Sequence, residues 1–474
     1  MKVVGRTSET ALLKGLLTKE SPEFVAIYGR RRIGKTFLIR QTYSEHIVFE
    51  CSGLHQKTFS RQLENFWLTL HEFDPTRKTE LPPKSWLQAF AQLKSYLTNL
   101  PGKEKKVVFF DEISWFETPK AGFLAALDNF WNQFCTKRSD IILVICGSAA
   151  SWIIHKVIND RGGLHNRITK KIQLAPFSLQ ETKLFLEANQ VFLTPKDLAQ
   201  IYMVVGGIPF YLRDILPEQS VPQILDELFI GPQATLANEF QNLYAALFKN
   251  NQLHETIVQI LASKNMGMTR AELLSEFKLP SGGGLSIALE ELIACGFVQK
   301  IYPINKTKAE ALLRLMDEYT LFYFKFLHNQ KNNSSWQQLV SKPSYKIWSG
   351  YAFENLCIRH VNQIKTALGI RGIVSNNYSW YSKGSAEEAG GQIDFIIDRA
   401  DNCINLLEIT FYNTEFEFTQ NDVALLQKKE MSFKKHTRTK KNVFWTLLTV
   451  FGAKPNAHFL SIITNQITLE DLFK

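Results

Sequence analysis

The segment that most constrains the fold of this chain is Gly29–Thr36, which reads GRRRIGKT. It fits the pattern G-x-x-x-x-G-K-[ST] without a mismatch, and in this pattern glycines let backbone N–H groups turn inward around phosphates. The apolar run FVAIY before it and the amphipathic run KTFLIRQTY after it predict a strand, a loop and a helix. The segment therefore predicts a phosphate-binding loop, with a chance basic turn as the alternative on the motif alone.

Individual side chains of this loop have separate predicted roles. Lys35 is expected to bridge the β- and γ-phosphates of ATP, and the Thr36 hydroxyl is expected to ligate Mg²⁺. The predicted nucleotide-binding residues are Gly29, Arg30, Arg31, Arg32, Ile33, Gly34, Lys35, Thr36 and Phe37.

A second motif supplies the carboxylates that such a loop requires. The run KKVVFFDEISW is an apolar strand that ends in Asp111 and Glu112. We expect this strand to neighbour the strand before the loop, so that Asp111 holds Mg²⁺ and Glu112 polarises the attacking water. The alternative is a helix N-cap at a strand end. Because both motifs occur in strand–helix order, we predict a nucleotide site that hydrolyses ATP.

A third apolar run, IILVICGSAASW, ends near Ser148. Ser148 is predicted either to sense the γ-phosphate and orient the water, or to cap the helix that begins at Ala149. Both interpretations remain open from the sequence.

The pattern along the chain predicts an α/β multidomain protein. Residues 1–177 alternate short apolar runs with amphipathic stretches, which is typical of a parallel sheet with flanking helices. Residues 178–245 are mostly helical, and residues 246–335 predict three short helices followed by a β-hairpin, as in a winged helix. Residues 345–474 predict a helix at Tyr351–Ala367, then strands, then an amphipathic region with a basic run.

Composition limits the classes of protein. The six cysteines are scattered without a Cys-x-x-Cys pair, which favours buried free thiols over zinc sites or disulfides. No apolar run is long enough to span a bilayer, so we expect a soluble cytoplasmic protein without a membrane partner. The net charge of +10 over 474 residues is compatible with a polyanionic partner but is a weak indication.

Six segments together resemble a known family, the archaeal-type ATPases related to the STAND class. They are VVGRTSETALL, YGRRRIGKT, VVFFDEISW, ICGSAASW, NRITKKIQLAPFSLQE and GGIPFYL. The resemblance implies that Gly5, Arg6 and Glu9 lie near the adenine. It also implies that Arg167 contacts the γ-phosphate, in cis or from a neighbouring copy, with a surface ion pair as the alternative.

Within the same resemblance, Gly207–Pro209 matches the GxP element, which is thought to report nucleotide state to the downstream domain. An ordinary helix-breaking turn is the alternative for these residues. Members of the family often continue into a winged helix and a nuclease-like domain. In the order of their acids, Glu354, Asp394 and Glu408 resemble the metal-binding core of PD-(D/E)XK nucleases, a restriction-endonuclease-like fold.

One position departs from the nuclease pattern. Thr410 stands where those enzymes have a lysine, and Lys383 or another lysine is the candidate substitute. An active metal-dependent nuclease and an inactive, binding or structural version both remain open. The basic run Gln427–Lys441 is interpreted either as a phosphate-tracking surface or as a solvated face.

Three functions follow in order of preference. The first is a Mg²⁺-dependent ATPase that acts as a molecular switch on a C-terminal effector or nucleic-acid-binding domain. The second is an ATPase coupled to a metal-dependent DNA nuclease, and the third is a non-catalytic regulator in which ATP gates DNA binding. The expected partners are ATP, DNA, and a protein partner or further copies of this chain.

Overall fold

The computed structural model describes residues 3–77, 81–148, 150–158, 164, 166–230, 234–248, 251–277, 282–304, 310–328, 335–382 and 391–474. The chain forms two compact units, unit 1 (Met1–Pro176) and unit 2 (Phe177–Lys474), so the three domains predicted after residue 177 lie in one unit. Ala149, Lys383 and residues 278–281 lie outside the described residues.

Unit 1 is built on a parallel sheet whose three central strands are largely apolar. The strands are β1 (Glu23–Tyr28), β2 (Ile47–Ser52), β3 (Lys106–Asp111), β4 (Ile141–Gly147) and β5 (Lys170–Gln173). All residues of β3 and β4 are buried, as expected for a sheet covered by helices on both faces.

The strand order β2-β3-β4-β1-β5 corrects one prediction. The strand that ends in Asp111 does not neighbour the strand before the loop, because β4 lies between them. The register pairs Tyr28 with Gly147 and Phe110 with Ile145, so the carboxyl ends of β1, β4 and β3 meet at one edge of the sheet. The residues predicted to take part in hydrolysis still lie at this one edge of the sheet. Ser148, which follows β4, lies between the loop and Glu112.

The helices of unit 1 pack on this sheet. They are α1 (Thr7–Leu16), α2 (Lys35–Thr42), α3 (Phe59–Phe73), α4 (Trp86–Asn99), α5 (Phe123–Gln133) and α6 (Ala150–Ile153). The side chains of Phe66, Trp86, Phe90 and Phe110 contact one another in the core, with ring centroids 5.7–6.4 Å apart. This core accounts for part of the high phenylalanine content.

Unit 2 begins with a helical segment. Its helices are α7 (Leu179–Ala188), α8 (Pro195–Val205), α9 (Pro209–Leu212), α10 (Val221–Phe229) and α11 (Glu239–Leu247). Ser178 and Glu181 form a capping box at the start of α7, and Gly206 ends α8 with a φ of 63°.

A small mixed segment follows in the order predicted for a winged helix. It consists of α12 (Asn251–Ala262), β6 (Met268–Thr269), α13 (Arg270–Phe277), α14 (Gly283–Ala294), β7 (Val298–Ile301) and β8 (Leu312–Leu315). The three strands form an antiparallel sheet in the order β6-β8-β7. The winged-helix assignment itself stays a prediction.

The C-terminal part of unit 2 is a five-stranded mixed sheet with helices. Its elements are α15 (Glu318–Phe322), α16 (Trp336–Val340), α17 (Pro343–Arg359), α18 (Val361–Ala367), β9 (Ser375–Ser382), β10 (Gly391–Arg399), β11 (Cys403–Thr410), α19 (Gln420–Thr437), β12 (Asn442–Thr449), α20 (Ala457–Ile462) and β13 (Ile463–Thr468). The order is β13-β12-β11-β10-β9, antiparallel from β9 to β11 and parallel from β11 to β13.

The single helix predicted at Tyr351–Ala367 is two helices in the structure. The break lies at His360, whose backbone leaves the helical region while its side chain is buried. All six cysteines lie within the described residues; none of them forms a disulfide, and five of them are buried. Among the described residues, no helix is long and apolar enough to cross a membrane.

Candidate nucleotide site and a second carboxylate cluster

The predicted phosphate-binding loop joins β1 to α2 with a backbone that requires glycine at both ends. Gly29 has a φ of 151° and Gly34 a φ of 86°. A Cβ atom on Gly29 would lie 2.3 Å from the Leu174 carbonyl oxygen, so this glycine also lets the residue after β5 approach the loop. α2 begins at Lys35, directly after Gly34, so its free N–H groups open onto the loop.

Lys35 is 6 % exposed, and its Nζ donates to the carbonyl oxygens of Gly29 (3.0 Å) and Arg30 (2.8 Å). The ammonium group therefore lies inside the curve of the loop. The Arg30 and Ile33 side chains are buried, whereas Phe37 is exposed. Of the predicted binding residues, Ile33 can thus offer only its backbone to a phosphate.

The Thr36 hydroxyl and Asp111 come together across the sheet edge. Thr36 Oγ1 donates to Asp111 Oδ2 at 2.7 Å, and Asp111 Oδ1 accepts from the Glu112 N–H at 2.9 Å. A hydroxyl and a carboxylate oxygen are hard ligands of the kind that Mg²⁺ prefers. The two side chains predicted to hold Mg²⁺ therefore fit that ion.

Glu112 and Ser148 form a second pair at the same edge. Glu112 has a φ of 47°, a strained backbone for a non-glycine residue. Its carboxylate accepts from Ser148 Oγ at 2.8 Å and from the Ser148 N–H at 3.2 Å. The Ser148 hydroxyl thus contacts the predicted base, in addition to any role at the start of α6.

Arg6 contacts the loop through Nη2, which donates to the Ile33 carbonyl oxygen at 3.3 Å. It is 4 % exposed, and its Nη1 lies 4.0 Å from Glu9 Oε1. The segment that the resemblance places near the adenine is therefore joined to the phosphate-binding loop.

Arg167 lies near the amino ends of the strands, away from the carboxyl ends at which the loop lies. β5 runs parallel to β1 with Lys170 beside Val25, and the Thr169 N–H donates to the Phe24 carbonyl oxygen at 2.9 Å. The loop follows the carboxyl end of β1, about 15–20 Å further along the strands. The Arg167 side chain is exposed.

The second carboxylate cluster lies in unit 2. Glu354, on α17, is 8 % exposed and pairs with Arg314 of β8 at 3.1 Å. Glu408, on β11, pairs with Lys429 of α19 at 2.8 Å. Asp394, on β10, accepts from the Gln392 side chain. Sequence reasoning missed Arg314 and Lys429 as partners because both lie far from the acids along the chain.

Burial dominates the electrostatics of this cluster. Burial, with a smaller contribution from Asp394, raises the pKa of Glu354 to about 8, although Arg314 lowers it. Burial also raises the pKa of Glu408 against the effect of Lys429. Within the described residues, no group of three or more His, Cys, Asp or Glu side chains is arranged to hold a metal ion. Glu354, Asp394 and Glu408 therefore do not form a three-ligand site in this structure.

The Gly206–Gly207 turn makes close contacts within unit 2. The Phe177 N–H donates to the Gly207 carbonyl oxygen at 2.7 Å, and the Tyr202 hydroxyl donates to the Phe177 carbonyl oxygen at 2.8 Å. A Cβ atom on Gly207 would lie 2.0 Å from that carbonyl oxygen, and one on Gly206 would lie 2.8 Å from Glu318 Oε2. Close packing against the backbone therefore requires Gly207, whereas the positive φ of 63° favours glycine at position 206.

The same region is tied to the end of α17. Glu318 pairs with Arg359, and the Leu179 N–H at the start of α7 donates to His360 Nε2 at 2.9 Å. His360 Nδ1 lies 2.7 Å from the Leu356 carbonyl oxygen, so Nδ1 carries the proton. Burial lowers the pKa of His360 to about 4 and keeps it neutral.

Comparison with known proteins addresses the N-terminal part of the chain. Residues 3–215 match the family model ATPase_2, described as an ATPase domain predominantly from Archaea. This segment is therefore similar to an archaeal ATPase domain. The match continues past unit 1 and includes the Gly206–Gly207 turn of unit 2.

Individual relatives are more distant. The uncharacterized protein MJECL04 of Methanocaldococcus jannaschii is 25 % identical over 368 residues, which cover 74 % of this chain and 76 % of the relative. The Walker-type ATPase PABY2304 of Pyrococcus abyssi is 17 % identical, with 68 % and 96 % of the two chains covered and a TM-score of 0.47. The ORC2 protein of Aeropyrum pernix is 17 % identical, with 68 % and 93 % covered and a TM-score of 0.42.

Proposed function

We propose that this protein is a Mg²⁺-dependent ATPase that works as a molecular switch, with the nucleotide state passed from the ATP site to unit 2. The observation that carries the proposal is the pairing of Thr36 with Asp111 beside the pairing of Glu112 with Ser148. These four side chains bring together metal ligands, a base and a polar contact for water at one sheet edge. Each is a component that ATP hydrolysis requires.

Some of these residues bind the nucleotide and its metal ion, and others act on the attacking water. Lys35 and the N–H groups at the start of α2 bind the phosphates, and Thr36 and Asp111 hold Mg²⁺, which when bound neutralises charge that develops on the phosphates. Glu112 orients and deprotonates the attacking water. Ser148 holds the Glu112 carboxylate and can exchange this contact for one with the γ-phosphate. Hydrolysis removes that phosphate and so resets the switch.

Coupling between the ATP site and unit 2 is supported by the short stretch of chain from Leu174, which lies beside the loop, to Phe177, where unit 2 begins. Leu174 packs against Gly29, and Phe177, three residues later, is bonded to Gly207 and Tyr202. The helix that follows is bonded through Leu179 to His360, at the end of α17. If bound nucleotide displaces Leu174, the movement is therefore passed along the chain to Phe177 and Leu179. These residues are hydrogen-bonded to the glycine turn and to the end of α17.

In this proposal, Arg167 of a neighbouring copy contacts the γ-phosphate. Its position near the edge opposite the loop leaves it free to reach the γ-phosphate of an adjacent subunit. The switch is then a homo-oligomer while ATP is bound. Replacement by alanine should lower hydrolysis without changing ATP affinity in isolated subunits.

The proposal is tested by steady-state ATP hydrolysis at saturating Mg²⁺ with Glu112→Gln and Lys35→Ala. Glu112→Gln should lower kcat by about 10²–10⁴-fold, the usual contribution of a positioned base, while ATP binding is kept. Lys35→Ala should weaken binding itself. Glu104→Gln, at an exposed carboxylate, is the matched control and should behave as the wild type. Normal hydrolysis by Glu112→Gln, or unchanged ATP affinity in Lys35→Ala, would refute the site assignment.

A metal-dependent DNA nuclease is the second candidate, and Lys429 is the observation that favours it. Its Nζ lies 2.8 Å from Glu408 Oε2, so it can supply the positive charge that Thr410 does not. The Arg314–Glu354 pair argues against it, because the carboxylate already has a cation beside it. Mg²⁺-dependent nicking that disappears in Asp394→Asn would establish this candidate. Nucleotide-dependent DNA binding without any cleavage would instead identify a non-catalytic regulator.

A further inference from the structure

The Glu112 carboxylate depends on one neighbour for its position. Among the residues that the structure describes, only Ser148 donates hydrogen bonds to it, from Oγ at 2.8 Å and from the backbone N–H at 3.2 Å. A hydroxyl has a single proton to donate. If Ser148 gives that proton to the γ-phosphate, the carboxylate loses its side-chain donor when it has to orient the attacking water. The proposed exchange therefore calls for a second donor beside Glu112.

The loop that follows β2 lies against the turn that begins at Glu112. Ser52, the last residue of β2, is paired with Asp111, and the Gly53 N–H donates to the Asp111 carbonyl oxygen at 3.0 Å. A Cβ atom on Gly53 would lie 2.8 Å from the Glu112 carbonyl oxygen and 2.8 Å from the Trp115 Cβ. Position 53 therefore has no room for a side chain, because the loop passes so close to this turn.

Two polar side chains of α3 fix the loop. Gln62 is fully buried; its Oε1 accepts from the Leu54 N–H at 3.0 Å, and its Nε2 donates to the Leu54 carbonyl oxygen at 2.6 Å. The Asn65 side chain donates to the Ser52 carbonyl oxygen at 2.9 Å. A buried amide has to be hydrogen-bonded, and Gln62 uses both of its ends on one residue. The backbone on both sides of Gly53 is thus held by α3.

His55, the residue after Leu54, packs beside the site. Its imidazole lies on the Trp115 indole, with the ring centroids 3.7 Å apart. The Trp115 N–H donates to the Glu112 carbonyl oxygen at 3.0 Å, so the ring that contacts His55 belongs to the turn of Glu112. The His55 side chain is exposed, and it lies close enough to Glu112 and to Arg31 of the phosphate-binding loop to interact with their charges.

The surroundings of His55 favour its neutral form. Partial burial and the positive charges of Arg31 and Lys57 lower the pKa of His55, and Glu112 opposes them. A neutral imidazole has one N–H donor and no net charge. It can therefore hold a carboxylate by a hydrogen bond without cancelling the negative charge that a base requires.

We propose that His55 is a positioning residue for Glu112, and that its imidazole N–H donates to the Glu112 carboxylate when Ser148 turns to the γ-phosphate. Glu112 then has a neutral side-chain donor in both states and keeps its charge for the attacking water. The inference rests on the ATPase function proposed above. It adds a residue from the loop after β2, which none of the motifs of the ATP site contains.

The test is steady-state ATP hydrolysis by full-length His55→Phe at saturating Mg²⁺. Phenylalanine keeps a ring that can pack on Trp115 and removes the N–H donor. A misplaced reacting group can cost up to about 10²-fold, so kcat should fall by about 10–100-fold while KM for ATP stays within about twofold. His55→Asn, which keeps a side-chain N–H donor, should recover part of the loss. His458→Phe, the same change at an exposed histidine of unit 2, is the matched control and should behave as the wild type.

A double variant separates positioning from a merely structural role. Because His55 acts through Glu112, adding His55→Phe to Glu112→Gln should lower kcat by less than about a further twofold. A structural role would instead lower kcat by the same factor in the wild-type and Glu112→Gln backgrounds, and this result would overturn the proposal.

Two other results would also overturn it. An unchanged kcat in His55→Phe would show that Glu112 is positioned without His55. A raised KM with a normal kcat would show that His55 binds the nucleotide and does not act on Glu112. The ATPase proposal fails on a different result, normal hydrolysis by Glu112→Gln alone, so the two failures are distinguishable.

Discussion

The two carboxylate clusters of this molecule differ in the charge of their partners. At the ATP site, Asp111 and Glu112 accept hydrogen bonds from neutral groups, the hydroxyls of Thr36 and Ser148 and backbone N–H groups. In unit 2, Glu354 and Glu408 have Arg314 and Lys429 beside them. Asp111 and Glu112 lie at the end of β3, whereas Glu354 lies within α17 and Glu408 within β11, and of these pairings only those in unit 2 place a side-chain cation beside the carboxylate.

This difference shows why a set of acids does not by itself indicate a metal site. A buried carboxylate costs several kcal/mol unless its charge is compensated, and the compensation comes from a side-chain cation, a proton or a metal ion. In unit 2 the compensation comes from a side-chain cation and a proton, because Arg314 contacts Glu354 and burial raises the pKa of that carboxyl. The carboxylates of the proposed ATP site accept neutral hydrogen bonds, and in the proposed function the compensation comes from Mg²⁺.

The largest expected effect separates the two clusters through one substitution in each. Asp111→Asn removes an anionic ligand at the ATP site, so hydrolysis should fall by about 10²–10³-fold, or about 3–4 kcal/mol in transition-state stabilisation. Asp394→Asn is the matched change in unit 2 and should leave hydrolysis unchanged. The measurement is kcat/KM for Mg²⁺-ATP, and similar losses in both variants would contradict the distinction.

A second substitution tests the buried cation in unit 2. Arg314→Met should destabilise the protein by about 2–3 kcal/mol, less than the ~3–5 kcal/mol of a broken buried ion pair, because Glu354 with a pKa of about 8 already holds a proton at neutral pH. The urea midpoint measures the change. Lys454→Met, which breaks the exposed pair with Glu417, is the control and should leave the midpoint unchanged. An unchanged midpoint in Arg314→Met would show that the pair does not support unit 2.

The pH dependence of stability follows from the raised pKa of Glu354. The folded protein holds the proton up to pH about 8, whereas the unfolded chain releases it near its ordinary value of 4.5. The free energy of unfolding gained from this group is therefore fully present below about pH 4.5 and is lost as the pH rises towards 8. Urea midpoints at pH 5.5 and 7.5 should differ less in Glu354→Gln than in the wild type; an equal difference would mean that Glu354 is ionised in the folded state.

A neutral hydrogen bond should have the smallest effect. Tyr202→Phe removes the donor to the Phe177 carbonyl oxygen and should cost about 1 kcal/mol of stability, the usual value for such a bond. Tyr381→Phe, at an exposed tyrosine, serves as the control. A loss in Tyr202→Phe as large as that in Arg314→Met would mean that charge does not dominate the stability of unit 2.

The local structure of unit 1 could be predicted closely from the sequence. The apolar runs FVAIY before the loop and IILVICG before Ser148 agree with β1 and β4 to within one residue at each end. Such runs are apolar throughout and bounded by loops, so the signal is local. The pairing of Thr36 with Asp111 was also predictable, because each residue is fixed by a motif of its own.

Long-range features could not be predicted in the same way. The position of β4 between β1 and β3 depends on packing and not on any local pattern. The same holds for Arg314 and Lys429, which lie 40 residues and 21 residues from their carboxylate partners. The helix break at His360 was missed because that residue sits in a run with helical periodicity, and only its contact with Leu179 reveals its role.

The most direct test of the account is the number of Mn²⁺ ions that the protein binds as a substitute for Mg²⁺. Bound Mn²⁺ is measured after ultrafiltration, with and without a non-hydrolysable ATP analogue, for the wild type, Asp111→Asn and Asp394→Asn. The account predicts one nucleotide-dependent Mn²⁺ per chain that is lost in Asp111→Asn and kept in Asp394→Asn. A Mn²⁺ that binds without nucleotide and is lost in Asp394→Asn would contradict it, as would unchanged binding in Asp111→Asn.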